Sequence, residues 1–267
     1  MNTHHPWLAK PLHQAAALAR WAPFALFALF ALFALLALAS APALASANLL
    51  VNSGAEAGPA SAIGEQVVTV PGWTLDGNFT VLTYNPDFGG PSMSSPGPLD
   101  RGLNYFAGGP GNGLSSASQT VDLGSYHSWF SNHSLAFTLS GWLGGYESQN
   151  DNAVLSVRFL DAQGNELEFA STNRISASDR NNVTGLLFLS TGFADSANVH
   201  LSPVQAVVTL TMTRTDGSYN DGYADNLSFT IDDGVPAAVP EPGTTALWLA
   251  GLAGVGWCAR RRGAEHG

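Results

Sequence analysis

Between residues 48 and about 240 the apolar positions recur every second residue in short runs, and no stretch repeats with helical spacing. "LAFTL" sets Leu135, Phe137 and Leu139 on one side, and "VLSVRF" sets Leu155, Val157 and Phe159 against Ser156 and Arg158. "VVTLTMT" separates Val208, Leu210 and Met212 from three threonines, and "LSFTI" groups Leu227, Phe229 and Ile231. Period-two alternation is the mark of a half-buried strand. Further strands are expected at "NLLV", "QVVTV", "FTVLT", "NYFA", "QTVDL" and "GLLFL". Clusters of Gly, Pro, Asn and Asp punctuate them, and "DAQGN" (Asp161 to Asn165) reads as a tight hairpin connection. Many short strands with turn-rich joints predict an all-β sandwich.

Both ends break this pattern. Ala22 to Ala39 is an uncharged apolar run behind Lys10 and Arg20, and "SAPALASA" follows it. That order reads as a signal peptide over residues 1–47, cut after Ala45 or Ala47. An uncleaved anchor is the alternative. Thr244 to Ala259 is again apolar and ends at Arg260, Arg261 and Arg262. As a helix it would be roughly 24 Å long, short of the ~30 Å hydrocarbon core. Arginines behind such a span stay cytoplasmic, which places the bulk of the chain outside the inner membrane. The expected division is 1–47 signal peptide, 48–234 sandwich, 235–243 linker, 244–259 membrane helix and 260–267 basic tail.

Charge narrows the partners. Residues 48–240 carry five arginines, no lysine and eighteen carboxylates, a net of −13. A phosphate backbone would be repelled, so nucleic acid is not an expected partner, whereas cations are attracted. The single cysteine, Cys258, lies in the C-terminal apolar segment, so the sandwich has no disulfide.

Val239-Pro240-Glu241-Pro242, the apolar segment and the arginine cluster together resemble the PEP-CTERM sorting signal. That resemblance implies processing by exosortase, a membrane transpeptidase, after transient residence in the inner membrane. It also implies association with exopolysaccharide and biofilm at the surface of a Gram-negative cell. The ordered blocks "NSGAEAG", "DRGLNYFAGGPGN", "LSGWLGGYESQNDNA" and "YNDGYADNLS" resemble galactose-binding-like jelly rolls, including carbohydrate-binding modules and uncharacterised secreted bacterial domains.

Asp225 is the sharpest candidate for chemistry. Carrying the parity of Leu227, Phe229 and Ile231 back along the strand puts Asp225 on the buried face, where a carboxylate is costly unless paired or metal-bound. The jelly-roll resemblance implies a structural calcium held by Glu56 and Asp225, and carbonyls of Gly108 and Gly109 could complete it. A hydrogen-bonded Asp, or an Asp–Arg pair, is the alternative. Asn150, Asp151, Asn220 and Asp221 lie in oxygen-rich loops that suit a sugar or a second metal, and equally suit turns. Trp129 and Tyr84 are the expected exposed aromatics for stacking on a pyranose. His127 and His133 fit no zinc spacing, and no G-x-S-x-G elbow occurs. The expectation is a non-catalytic exported protein that binds or is embedded in exopolysaccharide. A structural or adhesion protein with a protein partner is the alternative, and a matrix glycoside hydrolase is a further one.

Overall fold

The computed structural model describes residues 46–85, 89–194 and 201–232. The expected signal peptide up to residue 45, the linker with Val239, Pro240, Glu241 and Pro242, the apolar helix and Arg260, Arg261 and Arg262 lie outside the described residues. Among the described residues no helix is long and apolar enough to cross a membrane.

Ten strands follow in order: β1 (Thr74–Asp76), β2 (Thr80–Thr83), β3 (Asn104–Pro110), β4 (Leu114–Asp122), β5 (Ala136–Gly145), β6 (Asn152–Leu160), β7 (Glu166–Ser171), β8 (Gly185–Ala194), β9 (Gln205–Thr213) and β10 (Tyr219–Ile231). A 3₁₀ turn (Gly124–Tyr126) and one short helix, α1 (His127–Phe130), sit between β4 and β5. One sheet has the order β1-β4-β9-β6-β7 and the other β2-β3-β10-β5-β8. All their pairings are antiparallel.

The pairings nest. β6 pairs with β7, β5 with β8, β4 with β9 and β3 with β10. The chain is thus one long antiparallel hairpin, wrapped so that alternate pairs fall in opposite sheets, and that arrangement is a jelly roll. Its innermost turn is the Asp161–Asn165 connection. There Asp161 Oδ1 accepts the amides of Gln163 (2.9 Å) and Asn165 (2.8 Å), fixing the reversal.

Inward-facing residues form the core. Leu139 and Leu143 of β5 and Leu155, Val157 and Phe159 of β6 pack with Val208, Leu210 and Met212 of β9 and Leu227, Phe229 and Ile231 of β10. Phe137, Phe159 and Phe229 meet there, with Phe137 and Phe159 ring centroids 4.8 Å apart. Trp73 is also core, edge-on to Phe106 at 5.6 Å.

Two expected strands are not strands, and for a shared reason. At "NLLV" the Asn48 Oδ1 accepts the amides of Leu50 (3.1 Å) and Phe229 (3.0 Å), taking the place of a ladder. At "QVVTV" the Thr80 hydroxyl donates to the Gln66 carbonyl (2.8 Å) and accepts the Val68 amide (3.2 Å). Leu50 and Val70 still reach the core. β7 was hidden because it is an edge strand that buries no residue fully, so its sequence has little reason to alternate.

The outer face of the second sheet carries a satellite cluster: Leu82, Tyr84, Tyr105, Ala107, Leu186 and Tyr223, flanked by Trp142, Tyr146 and Tyr219. Asp225 belongs to this outer side. A β-bulge between Asp225 and Ser228, with Asn226 at φ 45°, breaks the alternation of β10. The parity expected from Leu227 is therefore inverted: Asp225 is buried, but over the sheet and away from the sandwich core.

Candidate ligand-binding face

Along β10, Tyr219, Asp221, Tyr223 and Asp225 stand on one face, as period-two geometry allows. Each aspartate accepts a tyrosine hydroxyl. Tyr223 donates to Asp221 Oδ1 at 2.5 Å, and Tyr84 donates to Asp225 Oδ2 at 2.6 Å. Tyr105 joins the two pairs, its ring 4.8 Å from that of Tyr84 and 5.4 Å, edge-on, from that of Tyr223. Asp225, Trp142 and Phe188 occupy one register row across β10, β5 and β8. Trp142 meets Phe188 edge-on at 5.8 Å, and Phe188 is 55% exposed.

The electrostatics follow from burial. Asp221 is 9% exposed, and desolvation pushes its carboxyl up to about 6, against the Tyr223 hydrogen bond and with help from the Asp151 charge. Desolvation pushes Asp225 up to about 7; the Tyr84 and Asn226 hydrogen bonds oppose it, and the Glu56 charge adds to it. Tyr105, Tyr219 and Tyr223 are raised by burial first and by nearby negative charge second. The Tyr105 hydroxyl is fully buried with no hydrogen-bond partner among the described residues. Such an orphan costs about 1–3 kcal/mol.

A loop covers one end of this face. Arg101 lies over the Tyr84 ring at 5.1 Å from its centroid. Its guanidinium donates to the carbonyls of Pro98 (2.8 Å), Ser92 (2.9 Å) and Ser95 (2.9 Å). The Leu186 amide then donates to the Pro96 carbonyl at 2.9 Å, tying the loop to β8.

The residues expected from sequence are distributed unevenly over this geometry. Asp221 is on the face. Tyr84 is also there, but buried beneath Arg101, so its ring offers no open stacking surface. Trp129 of α1 packs against the core on one side and is stacked by His133 on the other, centroids 3.5 Å apart and planes 4° from parallel. Asp151 is fully buried and holds backbone: its oxygens accept the amides of Thr215 (2.5 Å), Asp216 (3.0 Å) and Asp221 (2.9 Å). Asn150 Oδ1 accepts the Ala177 amide at 3.1 Å. Asn220 points inward and donates to the Met212 carbonyl at 3.1 Å. These three act as loop clamps.

Glu56 and Asp225 are brought close enough for the Glu56 charge to raise Asp225. Glu56 Oε1 accepts the amides of Leu103 (2.9 Å) and Asn104 (2.8 Å). Gly102 (φ 65°) is required there, since a Cβ would fall 2.5 Å from that oxygen. Two neighbouring carboxylates suit calcium in donor type. Among the described residues, however, no three acidic, histidine or cysteine side chains group as a metal site. Gly108 and Gly109 are elsewhere: their carbonyls accept the Asn112 amide at 3.1 Å each, and Gly109 pairs with Asn220, at the far end of β3.

Tyr105, Trp142, Tyr146, Phe188, Tyr219 and Tyr223 escaped the sequence reading as site residues. The available signal was "YNDGYADN", whose tyrosines and aspartates alternate at every second position.

Comparison with known proteins adds two findings. Residues 238–262 match the PEP-CTERM protein-sorting motif. The chain therefore carries an export and surface-sorting signal. No curated protein matches the chain. Among solved structures, the TmCBM61 module in complex with beta-1,4-galactotriose is 15% identical, over 70% of this chain and all of that one, with a TM-score of 0.39. The Stig cyclase Fisc from Fischerella sp. TAU is 14% identical, over 70% of this chain and 98% of that one, with a TM-score of 0.47. The enzymatically active domain of bacteriophage CBA120 tailspike protein 4 is 19% identical over 69% of this chain, TM-score 0.39, and the chain spans about a fifth (21%) of its length.

Proposed function

We propose that this exported protein is a non-catalytic binding module that holds a carbohydrate on the outer face of β2-β3-β10-β5-β8. The observation that carries the reading is one surface combining the exposed ring of Phe188 and the half-buried rings of Trp142 and Tyr146 with the carboxylate of Asp221. Sugar recognition needs both, an apolar ring face for the pyranose and a few fixed polar groups for its hydroxyls. In this reading exosortase processes the C-terminal signal, and an exopolysaccharide at the cell surface or in the extracellular matrix is the partner. A calcium ion held by Glu56 and Asp225 would tie the opening segment to β10 and stiffen the fold.

A hydrolase is disfavoured by spacing. Glu56 beside Asp225 is engaged by the amides of Leu103 and Asn104, which leaves Asp221 and Asp225 as the pair that β10 presents. Four residues of strand separate them by roughly 13 Å, wider than the ~5–9.5 Å of glycosidase acid pairs. A protein partner in place of a sugar is the remaining alternative.

Polysaccharide pull-down of the exported protein tests the proposal. Retention on at least one neutral or charged polysaccharide, lost in Trp142→Ala with Phe188→Ala, is the expected result. Retention on none, or retention unchanged in that double variant, would contradict it.

A further inference from the structure

Within the sugar-binding reading, on which this inference rests, the face has a chemical preference. Asp221 spends one oxygen on the Tyr223 hydroxyl, and its second takes no hydrogen bond among the described residues. Among the described residues no cation answers its charge. The nearby Arg180 guanidinium is committed to the carbonyls of Glu147 (3.1 Å), Val183 (2.6 Å) and Gln149 (2.9 Å). The titratable groups that face Asp221 are Tyr105 from β3, Tyr146 behind β5, Tyr219 and Tyr223 from β10, and Asp151 before β6. All are neutral or negative when they ionise. Beside them the Tyr105 hydroxyl is fully buried, with no hydrogen-bond partner among the described residues.

A carboxylate among tyrosine rings, with a second carboxylate beside it and no paired cation among the described residues, is suited to a cation. Ring faces attract positive charge, and the shielded carboxylate adds a charge-assisted hydrogen bond. A single carboxylate is a poor cage for calcium, which wants six to eight oxygens. It is well matched to one ammonium group donating to the unspent Asp221 oxygen, with the buried Tyr105 hydroxyl behind that carboxylate. The net charge of −13 over residues 48–240 favours the same sign of ligand and disfavours uronic acids.

We propose that Asp221, backed by the buried Tyr105 hydroxyl, forms a subsite for the protonated amino group of a hexosamine, so that the protein selects partly deacetylated amino-sugar polymer over neutral or acidic polysaccharide.

The test is calorimetric binding at physiological salt of short glucosamine oligomers, N-acetylglucosamine oligomers, galacturonate oligomers and oligolysine. It compares the wild-type exported protein with Asp221→Asn, Tyr105→Phe and, as a carboxylate control in the β6–β7 hairpin connection, Asp161→Asn. The free amine should bind at least about tenfold tighter than its acetylated form, as a charge-assisted bond warrants. That advantage should vanish in Asp221→Asn, shrink in Tyr105→Phe and persist in Asp161→Asn. Should Asp221→Asn not fold, the wild type gives the same information: the advantage should disappear below about pH 6, where Asp221 takes up a proton. Equal binding of free and acetylated oligomers overturns the proposal while leaving the sugar reading intact. So does an advantage that survives Asp221→Asn, which marks non-specific attraction, or oligolysine binding as tight as glucosamine. Failure to bind any saccharide, here and in the pull-down, removes both.

Discussion

Tyr223 donates its hydroxyl to Asp221, two residues earlier on the same strand, at 2.5 Å, and both lie on the face away from the sandwich core. The pair holds a shielded carboxylate in place without neutralising it. Tyr223 is the principal group opposing the upward push of desolvation on Asp221. In Tyr223→Phe the Asp221 carboxyl should therefore titrate above its value of about 6, read by carbon NMR of the side chain. Loss of a hydrogen bond to a buried carboxylate should also cost about 1.5–3 kcal/mol in denaturant unfolding.

Asp221 and Asp225 give stability a definite pH dependence. Both are raised in the folded state, to about 6 and about 7, from roughly 3.9 when unfolded. Between those values the folded chain binds more protons than the unfolded one, so stability falls as pH rises. In EGTA, the melting temperature should drop steadily from pH 4 to about 7.5 and then level. Asp225→Asn should flatten the upper part of that slope, which corresponds to as much as ~4 kcal/mol for a three-unit shift. A profile that rises over this range would contradict the assignment.

Tyr105→Phe should separate stability from binding. It removes a buried hydroxyl with no partner among the described residues, so the variant should be more stable by about 1–3 kcal/mol in the absence of ligand. Sugar affinity should fall. A destabilised variant with unchanged affinity would mean that the hydroxyl serves the fold.

Arg101 anchors the covering loop through three carbonyls and the Tyr84 ring. Lysine cannot reproduce that fork. Arg101→Lys should lose about 1.5–3 kcal/mol and speed hydrogen exchange at the Leu186 amide, which donates to Pro96 of that loop.

The sequence made the sandwich readable because most strands bury one face. Leu155, Val157 and Phe159, or Val208, Leu210 and Met212, advertise their side by alternation. Where side chains replaced the ladder, as at Asn48 and Thr80, alternation misled. The site was less legible. Asp225 was identifiable as a buried carboxylate, but its face was not, because the bulge at Asn226 shifts parity by one residue. Asp151 and Asn220 looked like ligand groups because polar clamps and polar binding residues have the same composition. Trp129 looked exposed because the stacking of His133, four residues on, shows only in three dimensions. Tyr105 sits in a plain "NYFA" run, and only its unpartnered hydroxyl singles it out.

Chemical-shift mapping of the exported protein with a bound oligosaccharide tests the central claim most directly. The account predicts that perturbations concentrate at Tyr105, Trp142, Tyr146, Phe188, Tyr219 and Asp221, on one face of one sheet. Perturbations centred on Trp129 and His133, or on the opposite sheet around Phe169, would contradict it.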